Sequence, residues 1–325
     1  MKFATLPNGS PDGQLVVVSR DLTRCVPATG VPTLQHALEQ WTDVEPRLGE
    51  ISDRLNASDR DGRPFDPASA MAPLPRAWQW LDGSAFESHG NLMQQVFGMD
   101  PVPRDRPLMY QGLSDRFLGP MQDVRLPSEK DGIDFEGEFG VIVDHVPMGT
   151  TAEEAMGHIR LIVQINDWSL RRIAPIEMKT GFGWVQAKPA CSVAAAAVTP
   201  DEIPQWQNGR VGLPLEVWWN DEKFGAANGK AMAFGFHELV AHAAYSRDLV
   251  AGTMIGSGTV SNESFREVGS SCIAERRGIE LLDTGEARTR YMHFGDRVRM
   301  EAKLTDGSPV FGTIDQQIVS AGSAA

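Results

Sequence analysis

Apolar positions along the chain fall into short runs of two periods. Leu34, Leu38, Trp41, Leu48, Ile51 and Leu55 recur near a 3.6-residue spacing, which predicts a helical stretch over residues 33–58. Before it, "LPNGSPDG" is dense in turn residues and "QLVVVS" is a compact β-type run. From about residue 106 short strand-like runs separated by turns take over: "EFGVIVDH", "RLIVQIND", "LPLEVWWN", "GTMIGSGTVS", "DRVRMEAKL" and "VFGTIDQQIV". Only "TAEEAMGHI" and "FHELVAHAAYSRDL" read as helices in this region. Many strands and few helices in no regular alternation predict an α+β, mainly β domain rather than a doubly wound parallel sheet. The Pro- and Ala-rich stretch "RDGRPFDPASAMAPLPRA" (60–77) marks a boundary between a small N-terminal domain, 1–75, and a main domain, 76–325.

Composition narrows the function classes. The 325 residues carry 30 basic and 43 acidic side chains, a net charge of −13, with no Lys/Arg run. Phosphate binding needs a concentrated basic surface, so nucleic acid is not expected as a partner. No apolar run approaches the length of a membrane span, and "MKFATLPNGSPDG" has no signal-like apolar region, so a cytoplasmic protein is expected. Cys25, Cys191 and Cys272 are too few and too scattered for a disulfide framework or a thiolate metal site.

The carboxylates carry the candidate chemistry. In "GIDFEGEFGVIVDH", Glu136 and Glu138 stand two apart on a predicted strand, so both project to one side, about 7 Å apart at their Cα atoms. They are either a solvated edge or part of a site. Asp167 ends the apolar run "RLIVQIND", where it is either a turn cap or a ligand. Together the three would make a hard, oxygen-rich site suited to Mg²⁺, Mn²⁺ or Ca²⁺ and not to zinc. Lys188, beside Pro189 in an apolar stretch, is either a snorkelling surface lysine or a cation that binds a carboxylate or enolate near that metal. "HELVAH" is not a zinc motif, because His237 and His242 are five apart and point about 140° apart around a helix. The GxG of "GTMIGSGTVSN" opens no helix and reads as pocket lining instead of a dinucleotide fingerprint.

These segments, with "MYQG", "QINDWSLRRI", "AKPACS", "GSSCIAE" and "FGDRVRME", occur in order, and the chain resembles the bacterial type of the fumarylacetoacetate hydrolase family from about residue 106 onward. The resemblance implies a mixed β-sandwich or β-roll catalytic domain, usually a homodimer, with a divalent cation, Mg²⁺ foremost, held by Glu136, Glu138 and Asp167. It places Lys188 on the active-site lysine and Tyr110, Arg171 and Thr259 on substrate-contacting positions. The mammalian-type enzyme has a further aspartate ligand two residues before that tyrosine and a water-activating histidine five after it. Counted from Tyr110, those positions hold Leu108 and Asp115, and Glu275 best matches the glutamate that orients the histidine. The expected activity is hydrolysis of a carbon–carbon bond in an acylpyruvate-like 2,4-dioxo acid, with Asp115 or Glu275 deprotonating the water. Decarboxylation or isomerisation of a related oxo acid at the same site is the alternative. A non-catalytic binding protein on this fold would have no need of the three carboxylates and Lys188.

Overall fold

The computed structural model describes residues 1–98 and 105–322. Its frame is a mixed sheet of 11 strands. At the centre Gly137–Val143 runs antiparallel to Ile159–Asn166, with Glu138 opposite Ile165. Both strands carry nearly unbroken apolar runs, as burial on both faces requires. The pleat sends successive side chains to opposite sides. Phe139, Val141, Val143 and Ile162 enter one core, while Ile142, Leu161, Val163 and Ile165 enter another.

A five-stranded sheet closes the first core with Leu215, Val217, Val298, Met300, Ile314 and Ile318. Helices Leu34–Glu39 and Trp41–Ala57 close the second through Leu34, Leu38, Trp41, Leu48 and Leu55. Each large side chain buried this way stabilises the fold by about 1.5–3 kcal/mol. The architecture is the mainly β, two-sheet roll expected. The strands of the N-terminal segment belong to the same large sheet: Lys2–Leu6 forms a hairpin with Gln14–Val18, and pairs on its other side with Ala197–Val198. At the opposite end Met254–Gly256 lies antiparallel to Gly137–Val143 and parallel to Trp80–Gly83. Trp80–Gly83 in turn pairs with Met109–Gly112, setting Asp82 across from Tyr110.

Helix content is higher than the periodicity indicates. Ala152–Ala155 and Phe236–Ala243 are helical, the latter ending well short of the stretch assigned to it. Two further helices, Glu87–Phe97 and Ile273–Thr284, carry the part of the site described below. Ile273–Thr284 buries Ile273, Glu275, Gly278 and Ile279. Two of those four inward positions are a carboxylate and a glycine, which erases the apolar period. Gly278 lets the two helices touch, since a Cβ there would lie 2.8 Å from Met93 Cε. Among the described residues no helix is long and apolar enough to cross a membrane.

Candidate active site

Three carboxylates meet where the central strands end. Glu138 comes from Gly137–Val143, Asp167 follows Ile159–Asn166, and Asp82 comes from Trp80–Gly83. One oxygen from each lies within 4.8 Å of the others, and all three residues are buried. The Met254–Gly256 strand runs between Asp82 and Glu138, and the residue passing between the two carboxylates is Gly256. A Cβ on Gly256 would stand 2.4 Å from Asp82 Oδ1, 3.0 Å from Glu138 Oε2 and 2.3 Å from Trp80 Cη2. Gly256 and Gly258 of "GTMIGSG" therefore line the site with bare backbone, as their β context suggests, while Gly252 lies against Gln35. Gly256→Ala should cost about 1–3 kcal/mol of stability by overpacking, read as a lower denaturation midpoint at unchanged slope, and should weaken Mn²⁺ binding at the same time.

Among the described residues no N–H or hydroxyl donor reaches either Glu138 oxygen, and the group beside it is the Asp82 carboxyl. An orphaned buried carboxylate is costly unless something positive completes it. Burial first, then the charges of Asp82, Asp167 and Glu136, push the Glu138 carboxyl well above its ordinary range. Burial and the Asp167 charge do the same to Asp82, with Lys188 opposing them. A hard divalent cation fits this donor set, and Asp82, Glu138 and Asp167 are the residues that would hold it.

Glu136 is placed differently from the ligand role expected of it. Its carboxylate accepts from Lys188 Nζ at 2.7 Å and from Arg171 Nη2, so its charge is already matched and it stands outside the triad. Burial would raise its carboxyl, but Arg171 and Lys188 outweigh that and hold it down to about 2. Arg171 is half-buried. Its Nε donates to Asp134 Oδ2 at 2.7 Å, and both carboxylates it binds are buried. Asp134 is fully buried and accepts from the backbone N–H of Ile273 and Ala274 at 2.7 and 2.9 Å.

Lys188 is a buried cation and not a snorkelling one. It bridges Glu136 and Asp167, the latter at 2.6 Å; burial opposes its charge, and these two carboxylates outweigh burial to keep it an ammonium. Tyr110 donates to the same Asp167 Oδ2 at 2.6 Å, and Cys191 Sγ donates to Oδ1 at 2.9 Å, so Asp167 is oriented on both oxygens. Trp184 packs edge-on against Tyr110, and Lys188 Nζ lies 5.3 and 5.7 Å from the Tyr110 and Trp184 ring centres. Thr259 is buried between Gly258, whose N–H donates to Asp82 at 3.1 Å, and Val260, whose N–H donates to the Gly137 carbonyl.

The structure separates the two carboxylates expected to deprotonate water. Asp115 is exposed in a surface groove beside Arg76, Phe117 and Met121, apart from the carboxylates, because the chain leaves the sheet after Gly112. Glu275, fully buried near the start of Ile273–Thr284, faces His89 of Glu87–Phe97, with Nδ1 to Oε1 at 3.6 Å. Ser261 donates to the same Glu275 oxygen, and Ser88 donates to Ser261 at 2.8 Å. Asp82 and His89 escaped the sequence reading. Their signal was a spacing: they stand seven residues apart, as do the aspartate and histidine that the resemblance calls for. Anchoring the count on Tyr110 hid it, because Tyr110 sits beside Asp82 across a strand pair and not along the chain.

Two sheets rolled around one core, with three buried carboxylates gathered at the strand ends beside Lys188, are the frame of an enzyme. The chain belongs to the fumarylacetoacetate hydrolase family: residues 79–319 match the family model "Fumarylacetoacetate (FAA) hydrolase C-terminal" and residues 1–76 match "Fumarylacetoacetase N-terminal domain 2". It is 27% identical over 208 residues to a 2,4-didehydro-3-deoxy-L-rhamnonate hydrolase of Sphingomonas sp. (strain SKA58), covering 61% of this chain and 70% of that one. It is 25% identical over 237 residues to a mitochondrial oxaloacetate tautomerase of Homo sapiens, covering 70% of each. Among solved structures, maleylpyruvate hydrolase from Sphingobium sp. SYK-6, in complex with manganese(II) and pyruvate, superposes with a TM-score of 0.66 at 16% identity, over 99% of this chain and 100% of that one. Fumarylacetoacetate hydrolase from Exiguobacterium antarcticum gives 0.68 at 15% identity, over 98% and 99%. At these identities the likeness is one of fold.

Proposed function

We propose that the protein is a divalent-cation-dependent hydrolase that cleaves the carbon–carbon bond of an acylpyruvate, a 2,4-dioxo acid such as fumarylpyruvate. The carrying observation is the convergence of Asp82, Glu138 and Asp167 beside Lys188, with no N–H or hydroxyl donor among the described residues on either Glu138 oxygen. A cation held by the three carboxylates, Mg²⁺ by preference, supplies Lewis-acid polarisation of the oxo acid's carbonyl oxygens. His89, backed by Glu275, takes a proton from water as its oxygen bonds to the acyl carbon. The bond between that carbon and the neighbouring CH₂ breaks, and its electron pair passes into the pyruvate enolate. Lys188 offsets the charge on the enolate oxygen. Tyr110 and Cys191 keep Asp167 in place throughout, and protonation of the enolate carbon completes pyruvate.

A second reading keeps the enolate chemistry without the water, as tautomerisation, isomerisation or decarboxylation of a related oxo acid. The oxaloacetate tautomerase among the relatives favours it. Assaying acid and pyruvate release from acylpyruvates, beside enol–keto exchange and CO₂ release from oxaloacetate, separates the two. Exchange or CO₂ without hydrolysis would remove the first reading.

Cation binding should also depend on pH. Asp82 and Glu138 are raised above the ordinary carboxylate range, so they hold protons where free carboxylates have lost them, and an incoming cation must displace those protons. Affinity for Mn²⁺ should therefore rise with pH, by about tenfold per unit for each proton released. Glu136, ionised throughout, contributes nothing to this slope. Calorimetric titration in two buffers of different ionisation enthalpy measures the release; a pH-independent affinity would contradict it.

A further inference from the structure

We propose that Asp134 is a positioning residue that ties the helix bearing Glu275 to the carboxylate site, and that Arg171 acts through this tie and not on substrate. The inference rests on the hydrolase reading for its kinetic readout only. An unbroken run of charged hydrogen bonds leads from the first two N–H groups of Ile273–Thr284 through Asp134, Arg171, Glu136 and Lys188 to Asp167. Asp134 and Asp167 are fully shielded from solvent, and Glu136 and Lys188 nearly so. Such a chain holds one geometry, because each link loses its partner if either neighbour moves.

The geometry matters because Glu275 lies one residue beyond the two N–H groups that Asp134 grips. Glu275 meets His89 at 3.6 Å, so a small shift of the helix start decides whether the pair is in hydrogen-bonding range. The carboxylate is required in both of its oxygens. Oδ1 accepts from Ile273, and Oδ2 accepts from both Ala274 and Arg171. An asparagine presents an NH₂ to one of these sets of donors, so Asp134→Asn breaks the tie with almost no change of volume. Burial raises the Asp134 carboxyl, while Arg171 and the Ile273 N–H favour its charged form.

The test uses the full-length, Mn²⁺-loaded protein and compares Asp134→Asn and Arg171→Lys with wild type. Expected for both is a fall in kcat of at least about tenfold, with KM and Mn²⁺ affinity within about twofold, and an altered pH profile of kcat. Asp134→Glu should recover part of the loss. Hydrogen exchange gives a readout independent of turnover: the Ile273 and Ala274 amides should exchange at least about tenfold faster in Asp134→Asn, with the sheet amides unchanged. Full kcat and wild-type exchange in Asp134→Asn would overturn the proposal. So would a raised KM at constant kcat in Arg171→Lys, which is the signature of a substrate contact. Should Asp134→Asn fail to fold, Arg171→Lys decides the matter by the same two readouts. Accelerated exchange in a protein inactive on every acylpyruvate would leave the tie standing and remove the hydrolase reading instead.

Discussion

Glu138→Gln abolishes turnover and Mn²⁺ binding while leaving the protein folded: this is the largest effect the structure predicts. The wild-type carboxylate is fully buried, meets no N–H or hydroxyl donor among the described residues, and is crowded by Asp82 and Asp167. A group in that position is retained for something it binds, not for stability. Removing it takes one of three donors from the cation and should lower kcat/KM by about a thousandfold or more, beyond the 10–100-fold typical of losing a group that merely supports a ligand. The metal-free variant should melt at or above the wild-type temperature wherever the pH is high enough to charge the wild-type carboxyl, because the amide carries no charge to crowd Asp82 and Asp167. Saturating Mn²⁺ should protect wild type by about 2.7 kcal/mol at a hundred times its Kd, and the variant not at all. Thermal unfolding with and without Mn²⁺, beside an acylpyruvate assay, checks all of this. Turnover surviving in Glu138→Gln would mean that the site has been assigned to the wrong residues.

His89→Asn is the second. Removing a general base from an attacking water lowers the rate by about 10²–10⁴-fold. In the proposed mechanism the enolate half would depend on a cation at the carboxylates and on Lys188 rather than on His89. Acylpyruvate hydrolysis should therefore fall by that factor, while enol–keto exchange of oxaloacetate should fall by less than about tenfold. Glu275→Gln should follow the same pattern more weakly, since Ser261 still holds the side chain. Equal losses in both reactions would place His89 in a step common to them. An unchanged hydrolysis rate would return water activation to another group.

How far the site could be read along the chain depended on whether its residues sit in local patterns. Glu138 opens one apolar strand run, Asp167 closes another, and Lys188 lies in a small-residue stretch that cannot solvate it, so each carries its own anomaly. Asp82 carries none: one aspartate in "WQWLDGS" is unremarked until Trp80–Gly83 pairs in parallel with Met254–Gly256, a contact between segments far apart in sequence. Glu136 misled for the complementary reason. An E-x-E repeat correctly predicts a shared strand side, but it does not reveal that Arg171 and Lys188 claim one of the two carboxylates. The core was legible where burial is apolar, as in Leu34 to Leu55, and illegible in Ile273–Thr284, where the buried face holds Glu275 and Gly278.

The pairing of Lys2 with Val198 has a consequence for how the molecule comes into being. As the chain leaves the ribosome, the first hairpin forms early but exposes an open edge until nearly two hundred residues have followed it. Pairings of such sequence separation are slow to form, and an unpaired edge invites association with other chains. The hairpin is thus made well before the strand that completes it, and its waiting time is the interval in which misassembly competes with folding.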